Sequence, residues 1–247
     1  MSSTLVSPPI LIFGATGAIG KNTARKLKNN KMNLILASSQ ESEDLINLSN
    51  EIKAPYIAFD FLSNKNENIL SQKIKSISEN LGGLIISIGR QFPKKFIHNT
   101  DEKILLEQLY IHIIALHKII KICLPMLEKA KNLDPKITYI STEYLLGNPP
   151  IKIGPYLAAK SAANTYMKVL SNEVIKKNIR TFILCPGMIR SKLTSDFPEI
   201  YLSEIEEKMP RKRLTNVDEI SNTILSIYKG YLNASYGIEI QVSVADR

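Results

Sequence analysis

Short β-branched apolar runs alternate along the chain with longer segments whose apolar positions recur at helical spacing. Runs at 10–13, 33–37, 56–59, 84–88, 136–140, 180–184 and 238–242 as a set lack strict polar alternation, as parallel strands covered on both faces do. Helical spacing occupies 18–29, 42–52, 66–80, 101–130, 156–177, 199–208 and 217–229. Strand–helix alternation of this kind predicts an α/β fold: a doubly wound, mainly parallel seven-stranded sheet with helices on both faces. The connections are short and no linker or repeat interrupts them, so 1–247 reads as one domain. The exception is 188–215, an irregular stretch beyond the carboxyl end of the sixth strand, where such sheets place ligands; it is expected to form a substrate lid.

Composition narrows the classes. The chain has 247 residues with 44% hydrophobic and 22% charged, which suits a globular domain. The formal charge of +9 (32 Lys and Arg against 23 Asp and Glu) raises nucleic acid, membrane or an acidic ligand as partners. The lysines are scattered, with no basic tail, zinc-finger spacing or RNA-binding aromatic signature, so no nucleic acid partner is expected. A coding bias or an anionic ligand accounts for the excess. Cys123 and Cys185 each lie in an apolar run with no metal-ligand spacing, which predicts buried thiols and no metal. The start of the chain has no signal-peptide pattern. The apolar stretch 104–127 is interrupted by Glu107, His112, His117, Lys118, Lys121 and Pro125, so no membrane span is expected. A cytoplasmic location is the corresponding expectation.

Candidate chemistry begins at Gly14-Ala-Thr16-Gly17-Ala-Ile19-Gly20, directly after the first apolar run and opening an amphipathic helix. A glycine turn lets backbone approach a ligand, and the helix start offers unpaired N–H groups to a pyrophosphate. The second strand ends Leu36-Ala37-Ser38-Ser39-Gln40, with no carboxylate at the spot where one would bind the ribose 2′-hydroxyl of NAD. Ser38 and Ser39 can donate to a 2′-phosphate and Lys21 can add charge, which points to NADP(H) over NAD(H). Asp60, after the third strand, is placed to accept from an adenine amino group.

Downstream, Tyr156-Leu-Ala-Ala-Lys160 pairs a phenol with an ammonium on one helical face. A nearby positive charge lowers a tyrosine pKa and makes it usable as an acid–base. A strand ending Tyr139-Ile-Ser141-Thr142 precedes the pair, and a strand ending Cys185-Pro186-Gly187-Met-Ile189-Arg-Ser191 follows it.

This ordered set resembles the compact branch of the short-chain dehydrogenase/reductase family over nearly the whole chain. The resemblance implies a Rossmann-type fold in which Gly14, Thr16, Gly17, Ile19 and Gly20 bind the cofactor. It implies an adenine contact at Asp60 and a nicotinamide end flanked by Gly89, Pro186, Gly187, Ile189 and Ser191. Tyr156 and Lys160 fall on the family's acid–base pair, Lys160 also reaching the cofactor ribose. The family's Asn-Asn-Ala-Gly is here Ile86-Ser-Ile-Gly89, and its helix asparagine aligns with His112, which can hydrogen-bond a water in the proton relay. The hydroxyl that polarises the carbonyl is Ser141 or Thr142, with Ser141 favoured.

The expected activity is hydride transfer between NADP(H) and a carbonyl or alcohol. Substrates would be a small keto-metabolite or a 3-oxoacyl chain on an acidic carrier met by Lys208, Arg211, Lys212 and Arg213. A non-enzymatic NADP-binding regulator and an epimerase or dehydratase with tightly held cofactor are the rivals. The helices at 101–130 and 156–177, the first apolar on most sides, predict a homodimer or homotetramer.

Overall fold

The computed structural model describes residues 7–63, 66–147 and 149–244; the first six residues, part of the region read for a signal peptide, lie outside them. In chain order the elements are β1 (Ile10–Phe13), α1 (Ala18–Asn29), β2 (Leu34–Ser38), α2 (Glu43–Ile52), β3 (Tyr56–Ala58), α3 (Glu67–Ile77), β4 (Gly83–Ile86), α4 (Glu102–Leu109), α5 (Ala115–Lys129), β5 (Lys136–Ile140), α6 (Gly154–Val174), β6 (Arg180–Pro186), α7 (Glu199–Lys208), α8 (Val217–Tyr228) and β7 (Ile238–Val242).

The strands form one seven-stranded sheet in the order β3-β2-β1-β4-β5-β6-β7. Every neighbouring pair is parallel, so the sheet is wholly rather than mainly so. Alternate strand residues feed two cores. Leu11, Phe13, Leu84, Ile86, Ile137 and Ile183 pack beneath α3, α5 and α6. Ile10, Ile12, Ile85, Phe182 and Leu184 pack beneath α1, α2 and α8. Burial on both faces is why these strands read as unbroken apolar runs. The order reverses between β1 and β4, and ligands of open α/β sheets bind beyond the carboxyl ends at such a switch point.

One expected element is altered. The helical spacing over 101–130 continues without interruption, but the chain forms α4, a π-helical turn at Tyr110–Ile114, and then α5. By length and composition Glu102–Lys129 is apolar enough to cross a bilayer. In the fold its inner face covers the sheet, with Ala115, Leu116, Ile119 and Cys123 fully buried. Cys185 is likewise buried, and both thiols are free.

A tight contact locks α8 to the sheet. The Tyr228 hydroxyl donates to the carbonyls of Leu84 and Lys136, 3.0 and 3.1 Å away on adjacent strands. Its ring passes Gly83 so closely that a Cβ there would lie 2.3 Å from a ring carbon. Gly83→Ala therefore overpacks a site that cannot relax without losing those hydrogen bonds. It should lower stability by about 1–3 kcal/mol, seen as a lower urea midpoint at unchanged slope.

Candidate active site

Beyond the carboxyl ends of β1, β4, β5 and β6 lies a single cleft of about 910 Å³. The candidate cofactor and acid–base residues all line it except Gly20, which packs beneath the loop. The glycine turn forms its floor. Gly14 has φ +79°, and a Cβ there would lie 2.2 Å from the Ser87 carbonyl oxygen. A Cβ on Gly20 would meet the Gly14 carbonyl oxygen at 2.2 Å. The three backbone segments thus fit only without side chains, which brings the start of α1 under the cleft.

That helix start suits a pyrophosphate. Ser42, Asn66, Asp101 and Asn216 cap α2, α3, α4 and α8 with side-chain oxygens. The α1 N-cap is Gly17, which supplies no side-chain oxygen, and its first turn carries no acid. The donors and the positive end of the helix dipole therefore face the cleft. A dinucleotide fits the remaining residues: Ser38, Ser39 and Asp60 at one end, Gly89, Pro186, Gly187, Ile189 and Ser191 at the other. The Ser38 hydroxyl is 3.0 Å from that of Thr16. Asp60 accepts at one oxygen from the Leu62 amide at 3.0 Å, and the Ser191 amide donates to Thr194 Oγ1 at 3.0 Å.

The ribose end holds a carboxylate that inspection of β2 alone does not reveal. Asp44, from the first turn of α2, lines the cleft. It pairs with Lys21 at 3.2 Å and Lys192 at 3.7 Å. The Lys21 contact holds its carboxyl below the usual aspartate range. The end of β2 itself carries no carboxylate; Asp44 reaches the cleft from α2, where two lysines face it.

At the other end, α6 presents Tyr156 and Lys160. Lys160 is 3% exposed and donates to the Ile140 carbonyl at 2.6 Å. Its ammonium lies 4.7 Å from the Tyr139 ring centroid and 5.8 Å from that of Tyr156. Burial pushes Lys160 down to about 7. Burial also pushes Tyr156 up to about 12, against which the Thr142 hydroxyl pulls. Burial is the largest cause at both groups, and it moves each toward its neutral form in the protein's own field.

The two candidate hydroxyls separate. Ser141 Oγ donates to Asn164 Oδ1 at 2.6 Å, and Asn164 passes the chain to Glu239 at 2.8 Å. Ser141 therefore ties β5 to α6 and β7, and Thr142 is the hydroxyl beside Tyr156. This reverses the order in which the sequence ranked them. His112 sits in the π-helical turn, 1% exposed, its ring edge-on to Tyr156 with centroids 5.4 Å apart. Neither ring nitrogen has a hydrogen-bond partner among the described residues. Burial first and the Lys160 charge second hold it well below the usual imidazole range, so it is neutral at pH 7.

Two neighbours carry no sequence signal. Phe92 stacks on Tyr156 at 5.8 Å and 15°, and Lys94 lies between the loop after β4 and the expected lid. Of that lid, residues 188–201 line the cleft at several points. The basic run does not: Arg213 pairs with Glu219 at 2.6 Å, and Lys212 with Glu207 at 3.4 Å.

Comparison with known proteins agrees with this fold. The family model described as enoyl-(acyl carrier protein) reductase matches residues 14–243. The 3-oxoacyl-(acyl-carrier-protein) reductase FabG of Buchnera aphidicola subsp. Baizongia pistaciae is 24% identical over 235 residues, covering 94% of each chain. Among solved structures, the RhlG/NADP active-site complex of Pseudomonas aeruginosa superposes with a TM-score of 0.88 at 16% identity, covering 96% of this chain and 95% of that one. YwfH, an NADPH-dependent reductase involved in bacilysin biosynthesis, does so with a TM-score of 0.85 at 18% identity, covering 97% and 98%. With its wholly parallel sheet, its uncapped glycine turn and its family match over residues 14–243, the chain belongs to the short-chain dehydrogenase/reductase family of oxidoreductases.

Proposed function

We propose that this protein reduces a carbonyl to an alcohol, reversibly, with NADP(H). The observation that carries the proposal is the meeting of Thr142, Tyr156, Lys160 and His112 at the carboxyl end of the sheet, on a cleft shared with the glycine turn. When bound, NADPH supplies the hydride. Gly14, Thr16, Gly17, Ile19 and Gly20 would hold its pyrophosphate side, and Asp60 its adenine. Gly89, Pro186, Gly187, Ile189 and Ser191 would hold the nicotinamide end. Ser38, Ser39, Lys21 and Lys192 support a 2′-phosphate, which would compete with Asp44 for the lysines.

Thr142 donates a hydrogen bond to the carbonyl oxygen, and Tyr156 gives that oxygen its proton. A phenol held near 12 is fully protonated at neutral pH, which suits the reductive direction. Lys160 orients the tyrosine from behind and is placed to reach the cofactor ribose. His112, neutral and with both nitrogens unspent, hydrogen-bonds a water that hands a proton from solvent to the tyrosinate, leaving the imidazole's own proton count unchanged. Ser141 supports the strand end without touching the substrate. The apolar cleft and the FabG likeness support a 3-oxoacyl substrate; a small keto-metabolite needs the same machinery. The pairing of Lys212 and Arg213 weakens the case for a carrier docked on that run.

We further propose a homodimer or homotetramer through the α4–α6 face, where Leu106 and Val169 are more than half exposed and Ile114 lies nearby.

Tyr156→Phe should reduce carbonyl-dependent NADPH oxidation by about 10²–10⁴-fold; activity at the wild-type rate would end the proposal. Thr142→Ala should lower kcat by about 10²-fold, whereas Ser141→Ala should act mainly on the melting temperature. Lys160 takes up its proton at 10.5 when unfolded and at about 7 when folded. Between those values the unfolded chain holds the extra proton, so this group stabilises the fold as pH rises through that window. The unfolding free energy of the wild type minus that of Lys160→Met should rise from pH 7 to pH 10 in chemical denaturation. Val169→Glu should shift the protein to monomer in sedimentation at micromolar concentration.

A further inference from the structure

Two irregular segments flank the substrate half of the cleft: the loop after β4, and the stretch from Ser191 into α7. They lie about a hundred residues apart in sequence, and one side chain joins them. The Lys94 ammonium donates to both carboxylate oxygens of Asp196, at 2.5 Å each, and to the Leu193 carbonyl at 3.3 Å. It lies 4.7 Å from the centroid of the Phe197 ring and 5.6 Å from that of Phe92. Only 11% of the Lys94 side chain is exposed. An ammonium buried to that degree requires such partners, because losing them leaves a charge out of water.

The contacts run on in both directions. Phe197 packs on Tyr201 of α7 with centroids 5.1 Å apart. Phe92, 6% exposed, stacks on Tyr156. One packed row therefore leads from α7 through Lys94 to the proton donor.

The pairing also removes a charge from the cleft. The walls beyond Tyr156 are apolar, including Ile111, Ile153, Met188 and Leu193. Among the described residues the other cations lining the cleft are engaged or turned outward: Lys160 donates to the Ile140 carbonyl, Lys21 and Lys192 face Asp44, and the Lys152 ammonium stands over the Phe96 ring at 5.0 Å on an exposed stretch. A carboxylate next to the reacting carbonyl would be buried without a partner, or would have to draw Lys94 away from Asp196.

We propose that Lys94 is a positioning residue that bolts the 191–208 segment over the substrate half, holds Phe92 against Tyr156, and restricts the site to substrates uncharged near the reacting carbonyl. The restriction rests on the carbonyl-reductase reading; the bolt does not.

The test uses the whole protein with ethyl acetoacetate and acetoacetate as matched probes, ester against carboxylate. The wild type should prefer the ester. Lys94→Met keeps the apolar stem and should raise the KM for the ester about tenfold, with a smaller change in kcat. Lys94→Arg should restore it. Asp196→Asn, at a more exposed position, releases the ammonium and should shift the kcat/KM ratio towards acetoacetate. Hydrogen exchange followed by mass spectrometry reads the bolt without turnover. Amides of 191–208 should exchange about tenfold faster in Lys94→Met and Asp196→Asn, with those of α8 unchanged. Unaltered exchange of 191–208 in both variants overturns the bolt, whether or not either probe is reduced. Faster exchange with an unchanged ester-to-acetoacetate ratio in Asp196→Asn overturns the restriction. If neither probe is reduced but exchange quickens, the bolt stands and the carbonyl-reductase reading is what fails.

Discussion

Three stretches of backbone cross at Gly14 with no room for a Cβ on either Gly14 or Gly20. The Gly14 and Ala15 amides both donate to the Ala37 carbonyl, and the Gly14 carbonyl accepts from the Gly17 amide. This crossing turns the chain from β1 into α1 within a few residues and lets the loop after β4 run alongside. The switch point, the uncapped start of α1 and the floor of the cleft all follow from it. Any side chain at the crossing would push apart the segments that the ligand must span.

The end of the cleft at Tyr156 obeys a different constraint, the cost of removing ionisable groups from water. Tyr156, Lys160 and His112 gather where the protein desolvates each of them, and each moves toward its neutral form. A protonated phenol, an ammonium that gives up its proton easily and a neutral imidazole are therefore close together. The π-helical turn at 110–114 carries His112 in this group, and such turns often mark functional positions. Behind them Ser141, Asn164 and Glu239 form a hydrogen-bonded brace from β5 through α6 to β7.

Much of the fold was legible because its inner strands are buried on both faces, whereas the edge strand β7 is exposed to partly buried along its length. The ranges read for β1, β5 and β7 coincide with the observed ones, and α1 and α7 agree as well. Single residues at element ends were less legible. Ser141 and Thr142 are chemically alike and adjacent, but successive residues of extended backbone point to opposite sides. One bonds Asn164 and the other lies against Tyr156, about two turns apart on α6. The π-helical turn was hidden because apolar spacing continues through it. Asp44 was hidden because it reaches the ribose end from α2, outside the strand whose end is usually inspected.

By itself the sequence determined the alternation of strands and helices, the glycine turn, and the spacing that sets Tyr156 and Lys160 on one helical face. Each depends on local geometry: period of burial, permitted φ, or spacing along one helical face. The tertiary structure alone decided the proton affinities of the site, the choice between two neighbouring hydroxyls, and the joining of Lys94 to Asp196. Those depend on which groups lose water and which distant segments meet, and neither property is local to the chain.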